Sequence, residues 1–134
     1  MKRFLITLSF ATLLIACGQN SAQIDAAKNK LAELGVSDPG KYEYKASEVS
    51  GLDVYKKIAT KYTNQSHDLK DIGDYEGASK KIEESNKNLT LAEANKDKKF
   101  GIVNAYELAA GDTLHKIILY VDDKNTVIDF ENLK

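Results

Sequence analysis

The sequence predicts an α+β fold in which N-terminal helices pack on a C-terminal three-stranded antiparallel β-meander. Three observations carry this: apolar residues recur at helical spacing from Ser21 into the nineties, the period drops to two after Lys99, and turn residues divide the last third into three segments. Residues 1–16 read as a targeting segment and 17–21 as a short tether. What remains, 22–134, is one small domain, helical over 22–97 and a β-meander over 100–130.

In the first helix Ile24, Ala27, Leu31 and Leu34 form one stripe, with Asp25, Lys28, Lys30 and Glu33 on the other side. Gly35 stands where a left-handed cap ends such a helix, and Val36 is placed to fold back on Leu31. Ser37-Asp38-Pro39-Gly40 is a turn containing the sole proline. Tyr42 and Tyr44 then alternate with Lys41, Glu43 and Lys45, as in a short extended segment with both rings on one face. Ser50 and Asp53 make a capping pair, and Leu52, Tyr55, Ile58, Ala59 and Tyr62 mark a helix of about three turns that Thr63-Asn64-Gln65-Ser66 ends. A further helical region starts near His67 and has Leu69, Ile72, Tyr75, Ala78, Ile82, Leu89 and Ala92 as its apolar members. Gly73 and Gly77 weaken it, each by up to about 1 kcal/mol relative to alanine. The pattern fits one bent helix or two pieces divided near Asn86–Asn88, with Thr90 and Glu93 capping the second.

Beyond Lys99, Phe100, Ile102, Asn104, Tyr106 and Leu108 alternate with Val103, Ala105 and Glu107, and Ala110-Gly111-Asp112 turns the chain. Leu114 to Val121 is apolar on both faces from Ile117 onward, the mark of a central strand. Asp122-Asp123-Lys124-Asn125 is a tight hairpin loop with Asn125 suited to positive φ. Thr126 to Phe130 forms the last strand, with Val127 opposite the face of Thr126, Ile128 and Phe130, and 131–134 is a polar tail.

The N-terminus sets the expected location. Lys2 and Arg3 precede an apolar run from Phe4 to Ile15, too short to cross about 30 Å of hydrocarbon, which takes about 20 apolar residues. Leu14-Ile15-Ala16-Cys17 closes the run and resembles the lipobox of bacterial lipoproteins. That resemblance implies cleavage before Cys17 and a thioether-linked diacylglycerol on its sulfur. Cys17 is the sole cysteine, so it has no intramolecular disulfide partner, and acylation removes a thiol that an oxidising compartment would attack. Two or three acyl chains, at about 0.8 kcal/mol per buried methylene, make a durable anchor where one binds marginally. Gly18 stands where enteric-type lipoproteins kept on the inner membrane have aspartate. The expected location is therefore the outer membrane facing the periplasm, or the cell surface where there is a single membrane. The helices-then-strands order is also similar to small outer-membrane lipoproteins with two helices before a three-stranded sheet. Their glycine-methionine-threonine stretch is not found here, and no residue role is carried over.

Loss of residues 1–16, which hold Lys2 and Arg3 among the 19 basic residues, takes the chain from 134 to 118 residues, with 17 basic side chains against 20 acidic ones and a formal charge of −3. The mild acidity gives no reason to expect nucleic acid. Arg3 is the only arginine, so the mature chain has no planar fork for gripping phosphate or carboxylate in two places.

Chemistry-bearing constellations are sparse. His67 and His115 are far apart, with His67 expected at a helix start beside Asp68 and His115 on a strand; no HxxxH, HExxH or cysteine cluster exists, and no metal or cofactor is expected. Asp68, Asp71 and Asp74 recur at three-residue spacing on one helical face but lack the glycine and bidentate glutamate of a calcium loop. Asp122 and Asp123 fall in a turn, where carboxylates bond the local backbone. Serine is plentiful without a GxSxG elbow, so no catalytic residue is assigned.

All seven tyrosines, Tyr42, Tyr44, Tyr55, Tyr62, Tyr75, Tyr106 and Tyr120, lie in the mature part. Tyrosine joins apolar area to a hydroxyl at small entropic cost, which suits interfaces. Tyr42 and Tyr44, in a segment with little other apolar support, are the expected partner contacts. The functional expectation is a non-enzymatic, lipid-anchored binding or assembly module of the cell envelope with a protein partner. The alternative is an inhibitor or immunity lipoprotein that blocks a hostile periplasmic enzyme.

Overall fold

The computed structural model describes residues 20–108 and 114–133. Helix α1 spans 20–33 and a 3-10 turn spans Pro39–Lys41; strand β1 (Glu43–Ser50) is followed by helices α2 (Gly51–Asp71) and α3 (Tyr75–Ala94), and strands β2 (Lys99–Leu108), β3 (Leu114–Val121) and β4 (Val127–Leu133) complete the order. The protein is α+β, with a four-stranded antiparallel sheet ordered β1-β2-β3-β4. Two compact units divide it: the first takes the described residues up to Glu48 and from Gly101 onward, the second takes Val49–Phe100.

In the first unit α1 buries Gln23, Ala27 and Leu31 against Val103 and Ala105 of β2 and Ile117, Leu119 and Val121 of β3. Each large aliphatic side chain so removed from water contributes roughly 1.5–3 kcal/mol. The β2 face that meets α1 carries Gly101, Val103 and Ala105, the smaller of the two alternating sets, because the helix packs close. At Gly101 a Cβ would overlap the fully buried Gln23 amide. α1 ends as its sequence predicts: Gly35 has φ +87°, its N–H donates to Ala32 O (3.1 Å), the Val36 N–H donates to Leu31 O (3.0 Å), and Val36 packs on the core. Leu34, expected in the buried stripe, falls just past the helix and is exposed.

β2 and β3 pair from Gly101↔Val121 to Leu108↔Leu114, and β3 pairs with β4 from Lys116↔Leu133 to Val121↔Val127. The β3–β4 loop is built on Asp122, whose Oδ1 accepts from Lys124 N (2.9 Å) and Thr126 N (2.8 Å), and Asn125 has φ 59°.

The second unit is a helical hairpin. Ser50 caps α2, its Oγ accepting from Asp53 N at 3.1 Å while donating to Asp53 Oδ2 at 2.7 Å. The interface between α2 and α3 is lined by Ala59, Ser66, Ala78, Ser85 and, further along, Ala92. Two hydroxyls cross it to backbone carbonyls, Ser66 Oγ to Ala78 O (2.9 Å) and Ser85 Oγ to Ala59 O (3.0 Å), and Thr63 and Ser85 share a hydroxyl pair at 2.9 Å. At the base Gly51 N donates to Lys98 O (2.9 Å), and Tyr55 meets Phe100 with ring centroids 5.6 Å apart.

Several expectations are corrected. The sheet has four strands, because the tyrosine segment runs on to Ser50 as β1 and joins the edge beside β2. The helices therefore do not all precede the strands, since β1 interrupts the region 22–97. Thr63-Asn64-Gln65-Ser66 does not end a helix. α2 continues through it because the hydroxyls of Thr63 and Ser66 find partners on or in α3. The true stop is Gly73, at φ +84°, and α3 then runs unbroken through Asn86–Asn88 and Thr90. In the last strand Val121 pairs with Val127 while Tyr120 pairs with Asp129, so Ile128 is an extra residue. This bulge puts Val127 on the core face with Phe130, which pairs with Leu119, instead of on opposite faces. The supposed tail, up to Leu133, is the end of β4.

Candidate functional site

Among the described residues, a group of chemistry-bearing side chains comes together on the α1 side of the sheet, at the end of β2 and the start of β3. β1 follows Tyr42 directly, so Tyr42 and Tyr44, two residues apart, share a face. Both are half-buried and pack on the core that α1 covers, with ring centroids 6.4 Å apart. Tyr42 Oη donates to Glu107 Oε2 at 3.1 Å, and Tyr44 Oη donates to Pro39 O at 2.6 Å, which ties the 3-10 turn to β1. Lys28 Nζ of α1 stands 5.5 Å from the Tyr44 ring centroid. Glu107 lies directly across from His115 in the β2–β3 register, so carboxylate and imidazole project from the same face.

The electrostatics follow from this packing. Burial pushes the Tyr44 hydroxyl up to about 12, with the neighbouring Tyr42 adding to the shift. Burial also raises Tyr42, and its hydrogen bond to Glu107 and that carboxylate's charge act in the same direction. Both phenols stay neutral donors across the physiological range, and the His115 end is open to solvent. A phenol row, a carboxylate and an exposed imidazole can recognise a polar surface by hydrogen bonding. Two potential ligands fall short of a metal site, and no group of three or more histidine, cysteine, aspartate or glutamate side chains is suitably placed among the described residues.

Two residues singled out separately in the sequence, Tyr42 and His115, are thus joined through Glu107, which alternation alone left unmarked. The pairing of β2 with β3 is what sets 107 against 115, and alternation within one strand does not carry that register. Other candidates stay apart. His67 is exposed within α2 and does not start a helix. Asp68 and Asp71 belong to the end of α2, whereas Asp74 caps α3, so the three do not share one helical face. Cys17, the preceding lipobox residues and the Ala110-Gly111-Asp112 turn lie outside the described residues. No described helix is long and apolar enough to cross a membrane. No family model matches the chain, and neither a curated protein nor a solved structure matches it.

Proposed function

We propose that this chain is a bacterial lipoprotein, acylated on Cys17 and held at the outer membrane, that works as a non-enzymatic binding or assembly module in the cell envelope. The observation that carries the reading is Leu14-Ile15-Ala16-Cys17 at the end of a short apolar run, with Cys17 the sole cysteine. Helix α1 is already present at residue 20, so at most two residues separate the lipid-bearing position from folded structure, which supports it. Gln23 lies by Gly101 at one end of β2, and the Tyr42–Glu107–His115 group lies at the other. Gly101 and Glu107 are six residues apart on β2, on the order of 20 Å at about 3.3 Å per residue. The partner-binding surface would then be presented away from the lipid, with Tyr42 and Tyr44 as contacts.

The experiment is Cys17→Ala in the native host, followed by fractionation and mass spectrometry of the N-terminus. The expected outcome is loss of the acyl mass and a protein that is released into the soluble periplasm or left unprocessed. Mature-sized Cys17→Ala protein still firmly membrane-bound would sink the lipoprotein reading.

A further inference from the structure

We infer that the tip of the α2–α3 hairpin is a docking surface for a protein whose contact site is an apolar pocket bordered by lysine or arginine. The inference deepens the proposed function and rests on it for the existence of a protein partner. Ile72 is 79% exposed and Tyr75 72% exposed, far above the other exposed large apolar side chains among the described residues. The sequence pattern places both in a buried helical stripe. The turn turns them outward instead and holds them there: Gly73 N donates to Lys70 O at 3.0 Å, Asp74 N to Leu69 O at 2.9 Å, and Asp74 Oδ1 accepts from Gly77 N at 2.9 Å. α2 therefore ends in a closed left-handed cap whose next residue is already the N-cap of α3. Two large apolar groups on a fixed backbone lose little ordering entropy on binding, which favours them as anchors.

The occupant follows from charge. Within a turn of Ile72 and Tyr75 stand Asp68, Asp71, Asp74 and Glu76 against Lys70, and Lys80, beyond that turn, is paired with Glu76 at 2.7 Å. The result is an apolar centre with an acidic rim, the layout of a protein interface. An anionic bilayer attracts basic clusters and would be repelled by this rim. A second copy would set two acidic rims against each other.

The test uses the full-length chain in its own membrane, with the photo-crosslinker p-benzoyl-phenylalanine replacing Tyr75, Tyr42 or, as a control, the exposed Thr60. Irradiation is expected to yield one discrete protein adduct from the Tyr75 position and none from Thr60. The crosslinked peptide should be apolar with flanking lysine or arginine, and Asp68→Lys with Asp71→Lys should cut the yield at least tenfold. Circular dichroism of that variant, altered at two exposed positions, controls for folding, and Ile72→Ser should produce the same loss without a charge change. An adduct with phospholipid, an adduct with the chain itself, a yield indifferent to the charge reversal, or no adduct at Tyr75 would each overturn the inference. Adducts at Tyr42 with none at Tyr75 would overturn it while leaving the binding function standing, and adducts at neither position would remove both.

Discussion

In the sheet unit the side chains removed from water are Leu31, Val103, Ile117, Leu119 and Val121, whereas along the contact of the helical hairpin they are Ala59, Ser66, Ala78, Ser85 and Ala92. The first set contributes through apolar area, and its loss leaves a cavity. The second set has little area to contribute. It lets two backbones approach and supplies hydroxyls that reach carbonyls of the opposite helix, each such bond contributing about 1 kcal/mol. Larger apolar groups enter the hairpin unit mainly toward its base, at Val54, Ile58 and Phe100. A helix pair can therefore be specified by what is small as well as by what is greasy, and the same segment that looks polar enough to be a loop can be the inside of an interface.

Opposite substitutions should injure the two units. The largest effect is expected from Leu119→Ala, a truncation at a fully buried position of the central strand β3, which should cost about 2–5 kcal/mol in urea unfolding. A cost under 1 kcal/mol would mean that the sheet unit is not held by apolar packing. Next comes Ala78→Leu, at a fully buried residue whose carbonyl receives the Ser66 hydroxyl. Overpacking there should destabilise by about 1–3 kcal/mol. If the protein instead gained stability, the hairpin contact would be loose and the contrast would fail.

The smallest effect belongs to Tyr44→Phe, which removes one hydrogen bond to Pro39 and should cost about 1 kcal/mol at neutral pH. Its more telling readout is alkaline. With the ordinary value at 10.0 and the folded value near 12, the folded chain keeps a proton that the unfolded chain has lost, so this contribution is intact below pH 10 and declines as pH rises toward 12. The stability of Tyr44→Phe measured across pH 10 to 12 should fall less steeply than wild type. An unchanged slope would assign the alkaline loss to other groups, Tyr120 foremost, because burial and its bond to Glu131 raise that phenol as well.

Local signals in the chain were sufficient wherever one residue's own backbone or hydroxyl makes the structure. The Gly35 cap, the Ser50–Asp53 cap, the Asp122–Asn125 loop and the central character of 114–121 were all legible for that reason. They fail where the deciding partner is distant. Tyr42 and Tyr44 could be placed on one face, but only β2, more than fifty residues further on, makes their segment a full edge strand and gives Tyr42 the carboxylate of Glu107. Thr63 and Ser66 read as helix breakers because the partners of their hydroxyls are Ser85 and Ala78, invisible at that range. The extra residue Ile128 likewise shifts the alternation of β4 only through its pairing with β3.

The sequence by itself determined the α+β class, the C-terminal end of α1 and the start of α2, because capping and two-residue periodicity are short-range effects of sterics and hydrogen bonding. Tertiary structure alone decided the fourth strand, the length of α2, the meeting of Tyr42, Glu107 and His115, and the exposure of Ile72 and Tyr75. Those depend on which backbone groups come opposite one another after the chain closes on itself, a property that no local window of residues contains.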